Sequence, residues 1–268
     1  DANWLVASGL LAERGQAAGR AMALYEQAAG ADPSAVHAHL AIARLKRAAG
    51  DLPGARTAHE GAHKAAPENL EALNNLGTIE VDLGEVESGL NRFLGAIKMG
   101  DNAASRLNAA NALSLLNRTR EAIPHLAKAH EMAPGSAEIL RRLGHALAID
   151  KQAKVASQVL ERSLALEDNS TVRLQLGQLA FQMKDGERAL QIFSKLVEAE
   201  PNGLTPLFEF GRTLKAMGRL DEASVVLTRY LQLAQGLPDE AERVAIVKQA
   251  FTPPGTVGAI PTAKPPSP

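Results

Sequence analysis

A small residue recurs along this chain at a nearly constant interval, and that interval limits the folds the chain can adopt. The successive spacings are 34, 34, 33, 34, 33 and 34 residues. The residues at these positions are Gly9, Ala43, Gly77, Ala110, Gly144, Gly177 and Gly211. Internal similarity at this period is typical of a solenoid, in which each repeat packs mainly against its neighbours. We therefore expect one supersecondary unit repeated seven times.

Each repeat reads as a pair of helices joined by a short turn. In the third repeat, residues 70–101, a second small residue, Gly89, follows Gly77, and the ring of Phe93 comes four residues later. Small residues at facing points allow two antiparallel helices to approach closely, and the larger side chain fills the space between them. The larger side chains of the seven repeats are Tyr25, His59, Phe93, Leu126, Leu160, Phe193 and Leu227.

This pattern resembles the tetratricopeptide repeat, which has the same period and the same order of small, small, aromatic and proline residues. The resemblance covers residues 2–235 and implies an all-α, right-handed superhelix in which the first helices line the inner surface. Proline near the end of a repeat, as at Pro67 and Pro134, cannot continue a helix but suits the start of the next one. Asn117 and Lys151 replace the glycine that other repeats have in the turn, so we expect those turns to be reshaped.

The composition agrees with a helical repeat and excludes several functions. The chain has 268 residues, of which 46% are hydrophobic, enough for a large core, and only 3% are aromatic. The formal net charge of −1 gives no overall attraction to nucleic acid, and no apolar run reaches the ~20 residues of a membrane span. Cysteine is absent, which removes disulfides, thiolate metal ligands and cysteine nucleophiles.

The residues after the last repeat predict a helical cap and a tail. Over residues 236–251, proline followed by two acidic residues is typical of a helix start, and Val244, Val247 and Phe251 share one face. A terminal repeat needs such a capping helix because its apolar side is otherwise exposed. Residues 252–268 are rich in proline and are expected to form a flexible tail. We therefore expect seven repeats over residues 1–235, then the cap, then the tail.

A peptide-binding groove is predicted on the first helices. If the first small residue of each repeat is position 8 and is buried, positions 2, 5, 6, 9 and 13 lie on the other face of that helix. This face is polar from the third repeat onward and is rich in amides and arginines. The predicted groove residues are Asn75, Asn108, Asn111, Arg141, Arg142, His145, Gln175, Gln178 and Arg212.

Each residue type in the groove suggests a role. Carboxamides donate and accept hydrogen bonds, so Asn75, Asn108 and Gln175 can hold the backbone of an extended peptide. The arginines, with Arg142 at their centre, can select acidic groups. A polar face that only meets solvent is the competing explanation. The carboxylate clamp found in some relatives is not expected, because Glu138 reverses a charge that the clamp requires.

The histidines raise the question of a metal site. His59 and His63 are one helical turn apart, a spacing that can bind a transition metal. No further ligand completes the set, and His59 holds the position that Phe93 fills in the third repeat, so we expect a packing role. No metal or other cofactor is expected.

The sequence therefore predicts a non-catalytic scaffold or adaptor, since it has no phosphate-binding glycine loop, zinc-protease motif or nucleophile elbow. Its expected partner is another protein, bound through an extended or helical segment that carries acidic groups, and not nucleic acid. The main alternative is a structural subunit of a larger envelope, secretion or pilus-type assembly. The repeat region of a larger enzyme is a third alternative. The compartment stays open, although the tail and the absence of cysteine favour an extracytoplasmic location.

Overall fold

The structure is a computed structural model that describes residues 1–250. Its secondary structure in that range consists of α-helices and one short 3-10 helix, without strands. The chain divides into two compact units, residues 1–167 and residues 168–268. The last residue of the predicted cap, Phe251, and the predicted tail over residues 252–268 lie outside the described residues. None of the described helices is both long and apolar enough to cross a membrane.

The N-terminal unit consists of five helical hairpins. Their first helices are α1 (Ala2–Arg14), α3 (Val36–Ala48), α5 (Leu70–Asp82), α7 (Ala103–Leu115) and α9 (Ala137–Ile149). Their second helices are α2 (Ala18–Ala31), α4 (Leu52–Ala65), α6 (Val86–Met99), α8 (Thr119–Met132) and α10 (Ala153–Leu166). Each helix contacts the next along the chain, and α5 also contacts α7, so the hairpins stack on one another.

The C-terminal unit contains two further hairpins and a last helix. The elements are α11 (Ser170–Gln182), α12 (Gly186–Ala199), α13 (Leu204–Ala216), α14 (Leu220–Ala234), a 3-10 turn (Pro238–Glu240) and α15 (Ala241–Ala250). Helix α15 packs on α14, and Val247 is buried in a cluster with Phe208 and Tyr230. The Tyr230 hydroxyl donates a hydrogen bond of 2.7 Å to Glu240, which fixes the 3-10 turn against α14.

Each hairpin is held by a close approach of its two helices, which the third hairpin shows most directly. A Cβ atom placed on Gly89 would lie 2.5 Å from the carbonyl oxygen of Gly77. A Cβ atom on Gly77 would lie 2.7 Å from the ring of Phe93. The two backbones therefore touch at the small residues, and the buried Phe93 fills the space beside them. The equivalent large side chains of all the other hairpins are also buried.

Side-chain caps fix where several of the first helices begin. Asn69 accepts a hydrogen bond of 2.9 Å from the backbone N–H of Ala72, and Asn102 accepts one of 2.9 Å from Ser105. Ser136 caps the first helix of the fifth hairpin in the same way. Such caps satisfy backbone donors that have no partner within the helix. The cap and the small residue together set the same register in successive repeats.

The turns inside the hairpins are not reshaped where glycine is missing, contrary to expectation. Asn117 and Lys151 have φ angles of 58° and 63°, in the same left-handed region as Gly84 at 84°. The turn hydrogen bonds explain why. The N–H of Arg118 donates to Leu113 over 2.8 Å, as that of Glu85 does to Glu80 in the third hairpin. The geometry of the hairpin imposes the left-handed residue even where the side chain disfavours it.

The close approach in the third hairpin predicts opposite effects for two glycine substitutions in α6. Gly89→Ala should lower the free energy of unfolding by about 1–3 kcal/mol, because its new methyl group meets backbone atoms. Gly95→Ala is the matched control. A Cβ atom there meets only Leu73, at 3.6 Å, so the higher helix propensity of alanine should stabilise the protein by about 0.5–1 kcal/mol. Urea denaturation of both variants tests this, and equal stability of the two would contradict it.

Candidate functional site

The residues predicted to form the groove lie on the first helices of both units. We call the surface made by positions 2, 5, 6, 9 and 13 of these helices the first-helix face. In the N-terminal unit the structure places Asn75 on α5, then Asn108 and Asn111 on α7, all three partly buried. Arg141 and Arg142 are partly buried on α9, and His145 on the same helix is exposed. The C-terminal unit carries the remaining predicted residues on α11 and α13.

The two arginines of α9 are not available as free cations. Both guanidinium groups bind the carboxylate of Glu138, which lies one helical turn earlier on the same helix. Partial burial acts to raise the pKa of Glu138, but the hydrogen bonds from Arg141 and Arg142 outweigh it and hold the pKa below its usual value. An acidic ligand group would therefore compete with Glu138 for the arginines. The spacing from Glu138 to the arginines was visible in the sequence, but the pairing depends on side-chain conformations.

Two of the three predicted residues of the C-terminal unit contact a buried carboxylate. Gln178 donates a hydrogen bond of 2.9 Å to Glu209, and Arg212 lies 2.6 Å from the other oxygen of the same carboxylate. The Arg212 guanidinium also stacks 4.3 Å from the centre of the Phe181 ring. Gln175 lies partly buried on α11. Two predicted ligand-binding groups of this unit thus bind Glu209, which links α11 to α13.

A cavity of about 680 Å³ opens in the N-terminal unit. Among its lining residues are Val6, Leu10, Leu40, Arg44, His59 and Asn75. Those from α1, α3 and α5 occupy positions 5, 6 and 9 of their helices, so the cavity belongs to the first-helix face. Asn75, one residue of the predicted groove, therefore lines a concave site together with side chains of the two preceding first helices, α1 and α3.

The charged groups at this cavity are largely compensated within the unit. Arg44 lies 2.6 Å from the Glu13 carboxylate, and Arg47, which also lines the cavity, lies 2.7 Å from Asp82. Glu71 contributes an acidic group to the lining. The cavity therefore combines apolar side chains with two paired arginines and one acidic group, and it does not present an array of uncompensated cations.

His59 supplies a buried polar group that lines the same cavity. The residue is only 5% exposed, and its Nδ1 atom is enclosed without a hydrogen bond. Burial, and after it the positive charge of Arg47, lower the pKa of His59 to about 4. The imidazole is therefore neutral at pH 7. The sequence assigned His59 a packing role, which is correct for its position, but did not reveal that the ring faces a cavity.

The remaining histidines do not assemble into a metal site. His39 lies 3.0 Å from the backbone oxygen of Pro33, whereas His59 lines the cavity. Within residues 1–250, no three histidine or acidic side chains come together in a group that could hold a metal ion.

Comparison with known proteins identifies the repeat. Residues 40–104, which span most of the second and third hairpins, match the family model of the tetratricopeptide repeat. The chain contains tetratricopeptide repeats. Its predicted fold class, an all-α solenoid of this type, is confirmed by the helical hairpins of both units and by the solved structures that resemble them. No curated protein matches the sequence.

Solved structures with the same fold have low sequence identity to this chain. PilF of Pseudomonas aeruginosa has 18% identity and a TM-score of 0.66, covering 81% of this chain and 97% of its own. PilW, described as a type IV pilus biogenesis factor, has 17% identity and a TM-score of 0.64, covering 75% and 94%. YrrB, described as having an unusual peptide-binding site, has 17% identity and a TM-score of 0.61, covering 68% and 95%. Tetratricopeptide-repeat folds typically mediate protein–protein interaction.

The buried imidazole of His59 makes the stability of this protein depend on pH. The pKa of His59 is about 4 in the folded state and about 6.5 in an unfolded chain, so below pH 6.5 the unfolded state binds the additional proton. As the pH falls from 7 toward 4, His59 should therefore cost up to about 3 kcal/mol of the free energy of unfolding.

The matched variant is His59→Leu, because Leu126 and Leu160 occupy the equivalent position in other hairpins. The difference in the free energy of unfolding between this variant and the wild type should increase in favour of the variant as the pH is lowered. Urea titrations at several pH values between 7 and 4 measure it. A difference that stays constant with pH would show that His59 is not buried in its neutral form.

Proposed function

We propose that this protein is a non-catalytic adaptor that binds an extended or helical segment of another protein on its first-helix face. The observation that supports this most is the cavity of the N-terminal unit, because three successive first helices contribute to one concave site that includes Asn75. Its volume of about 680 Å³ lies within the ~300–1,000 Å³ typical of sites that enclose most of a ligand.

The amide groups beyond the cavity extend the binding surface in the N-terminal unit. Asn75, Asn108 and Asn111 lie on α5 and α7, and all three side chains are partly buried. A carboxamide can donate to a peptide carbonyl and accept from a peptide N–H. A row of such groups recognises backbone and tolerates many sequences. In this proposal the amides contribute affinity by binding the peptide backbone, and the cavity contributes specificity by accepting a side chain.

Selection of acidic groups has a smaller part in the proposal than the sequence alone suggested. Arg141 and Arg142 already bind Glu138. An incoming carboxylate therefore gains only the difference in free energy between its own ion pair and the existing one. Exposed ion pairs of this type contribute about 0–1 kcal/mol. We therefore propose that the arginines change the binding affinity only modestly and in a salt-dependent way. Recognition of the peptide backbone contributes most of the binding free energy.

Among the structural relatives there is a precedent for a peptide-binding role. YrrB is described as a tetratricopeptide-repeat protein with an unusual peptide-binding site. Proteins of this fold are generally non-catalytic scaffolds. We extend the role to this chain on the basis of its own cavity, since the likeness itself supports only the fold.

A structural subunit of a larger assembly is the second candidate. It is favoured by apolar side chains at equivalent ends of the second helices in the N-terminal unit. Met99, Met132 and Leu166 are the last residues of α6, α8 and α10, and they are 47%, 40% and 51% exposed. Apolar groups repeated along one edge are suited to burial against a neighbouring subunit. PilW, the pilus biogenesis factor, belongs to the structural relatives.

Two sets of substitutions separate the two candidates. The first replaces Asn75→Ala, Asn108→Ala and Arg142→Glu together on the first-helix face. The second replaces Met99→Gln, Met132→Gln and Leu166→Gln at the ends of the second helices. Circular dichroism and thermal denaturation establish that both variants fold. Each variant and the wild type are then tested for binding to a random peptide library displayed on phage, and for capture of partners from the native host.

The adaptor function predicts that the wild type and the second variant enrich a common peptide motif, whereas the first variant loses affinity by at least about tenfold. This loss corresponds to about 1.4 kcal/mol, roughly one or two hydrogen bonds. Loss of a large stable complex in the second variant alone, with no motif enriched by the wild type, would reject the adaptor function in favour of the assembly subunit.

A further inference from the structure

The cavity of the N-terminal unit contains an unsatisfied hydrogen-bonding group deep in its lining. Among the described residues, neither ring nitrogen of His59 makes a hydrogen bond, although the side chain is 95% buried. Its Nδ1 atom is enclosed by protein, which leaves Nε2 as the nitrogen that a ligand can reach. Buried polar groups are rarely left without partners, and each such group calls for an explanation. A ligand group that completes this hydrogen bond would provide one.

The charged groups around His59 offer no free cation to an acidic ligand. Arg44 and Arg47 are paired with Glu13 and Asp82, at 2.6 and 2.7 Å, so an incoming carboxylate finds no uncompensated cation. Because the pKa of His59 is lowered to about 4, the imidazole itself is uncharged at pH 7. A group that both donates and accepts fits either tautomer of the neutral ring.

Part of the cavity lining is apolar. Val6 and Leu10 of α1 and Leu40 of α3 contribute these side chains, and Leu10 is half-exposed at the surface. A side chain that packs against them and binds the neutral ring of His59 needs an apolar body and a polar, uncharged end. Tyrosine combines the two, because its ring buries a large apolar area and its hydroxyl both donates and accepts a hydrogen bond.

We propose that the cavity is a specificity site for a tyrosine side chain of the bound segment, whose phenolic hydroxyl forms a hydrogen bond with the His59 imidazole. The inference rests on the proposed peptide-binding function and names the side chain that the cavity selects. Asn75, which lines the same cavity, is placed to bind the peptide backbone next to that tyrosine. The volume of about 680 Å³ accommodates an aromatic side chain together with adjoining backbone.

Amino-acid amides test the site directly without knowledge of the natural partner. The probes are N-acetyl-tyrosine amide, N-acetyl-phenylalanine amide and N-acetyl-glutamate amide, and they are titrated into the full chain with isotope-labelled histidine. The imidazole NMR signals of His59 report binding at the cavity. Tyrosine amide should bind about threefold to tenfold more tightly than phenylalanine amide, the ratio expected for one additional hydrogen bond.

The matched variant is again His59→Leu, which keeps an apolar side chain of the type found in other hairpins. Signals of Leu40 and Val6 report binding in that variant, where tyrosine and phenylalanine amides should bind equally or phenylalanine amide more tightly. In the phage selection, wild type should enrich tyrosine at one fixed position of the motif, and the variant should lose that enrichment while retaining peptide binding.

The tyrosine proposal is overturned if phenylalanine or glutamate amide binds the wild type as tightly as tyrosine amide, or if no probe shifts His59 at its solubility limit. It is also overturned if the tyrosine preference survives in His59→Leu. These results are distinct from failure of the adaptor function. Enrichment of a motif without tyrosine leaves peptide binding intact and removes only the tyrosine site, whereas failure to enrich any motif rejects both.

Discussion

The contact between two glycines in the third hairpin is the constraint on which the rest of the architecture depends. Because the backbones of α5 and α6 meet at Gly77 and Gly89, the space beside them accepts one large side chain, and Phe93 takes it. Each repeat therefore uses its small residues and one large residue to close its own hairpin. The opposite side of the first helix is not needed for that closure. This is why the sequence of that face can vary from repeat to repeat.

The candidate cavity lies where the large-residue position of the hairpin is still filled by a buried ring, but the ring carries a polar atom. Phe93, Leu126 and Phe193 are apolar at the large-residue position, whereas Tyr25 and His59 carry polar atoms there. Both side chains are buried and line the cavity. Burial, and then the nearby Glu13 carboxylate, raise the pKa of Tyr25 to about 12, so its hydroxyl stays protonated. Two consecutive hairpins thus contribute a buried polar group each to the lining of one cavity.

The sequence predicted the hairpins and the first-helix face because both depend on local periodicity. A spacing of 33–34 residues and a buried small residue are enough to assign which side of each first helix packs. The pairing of Arg142 with Glu138 could not be predicted in the same way, because it depends on rotamers. The cavity could not be predicted either, since it is a void shared by several helices. The turn at Lys151 was predicted wrongly for another reason. Tertiary geometry holds this residue in the left-handed region, although a lysine by itself disfavours that backbone conformation.

The position of His59 is difficult to explain by stability alone. A leucine at that position would fill the hairpin as Leu126 and Leu160 do, and it would remove a buried polar atom that has no partner. Such an unsatisfied group costs about 1–3 kcal/mol. Residues that oppose stability in an otherwise regular repeat are typical of functional sites. The hairpins with Leu126, Leu160 and Leu227 at this position make the comparison internal to the chain, because an apolar side chain closes the same space in them without this cost. A ligand that satisfies the imidazole would recover the lost hydrogen bond only in the bound state, and that difference contributes to binding affinity.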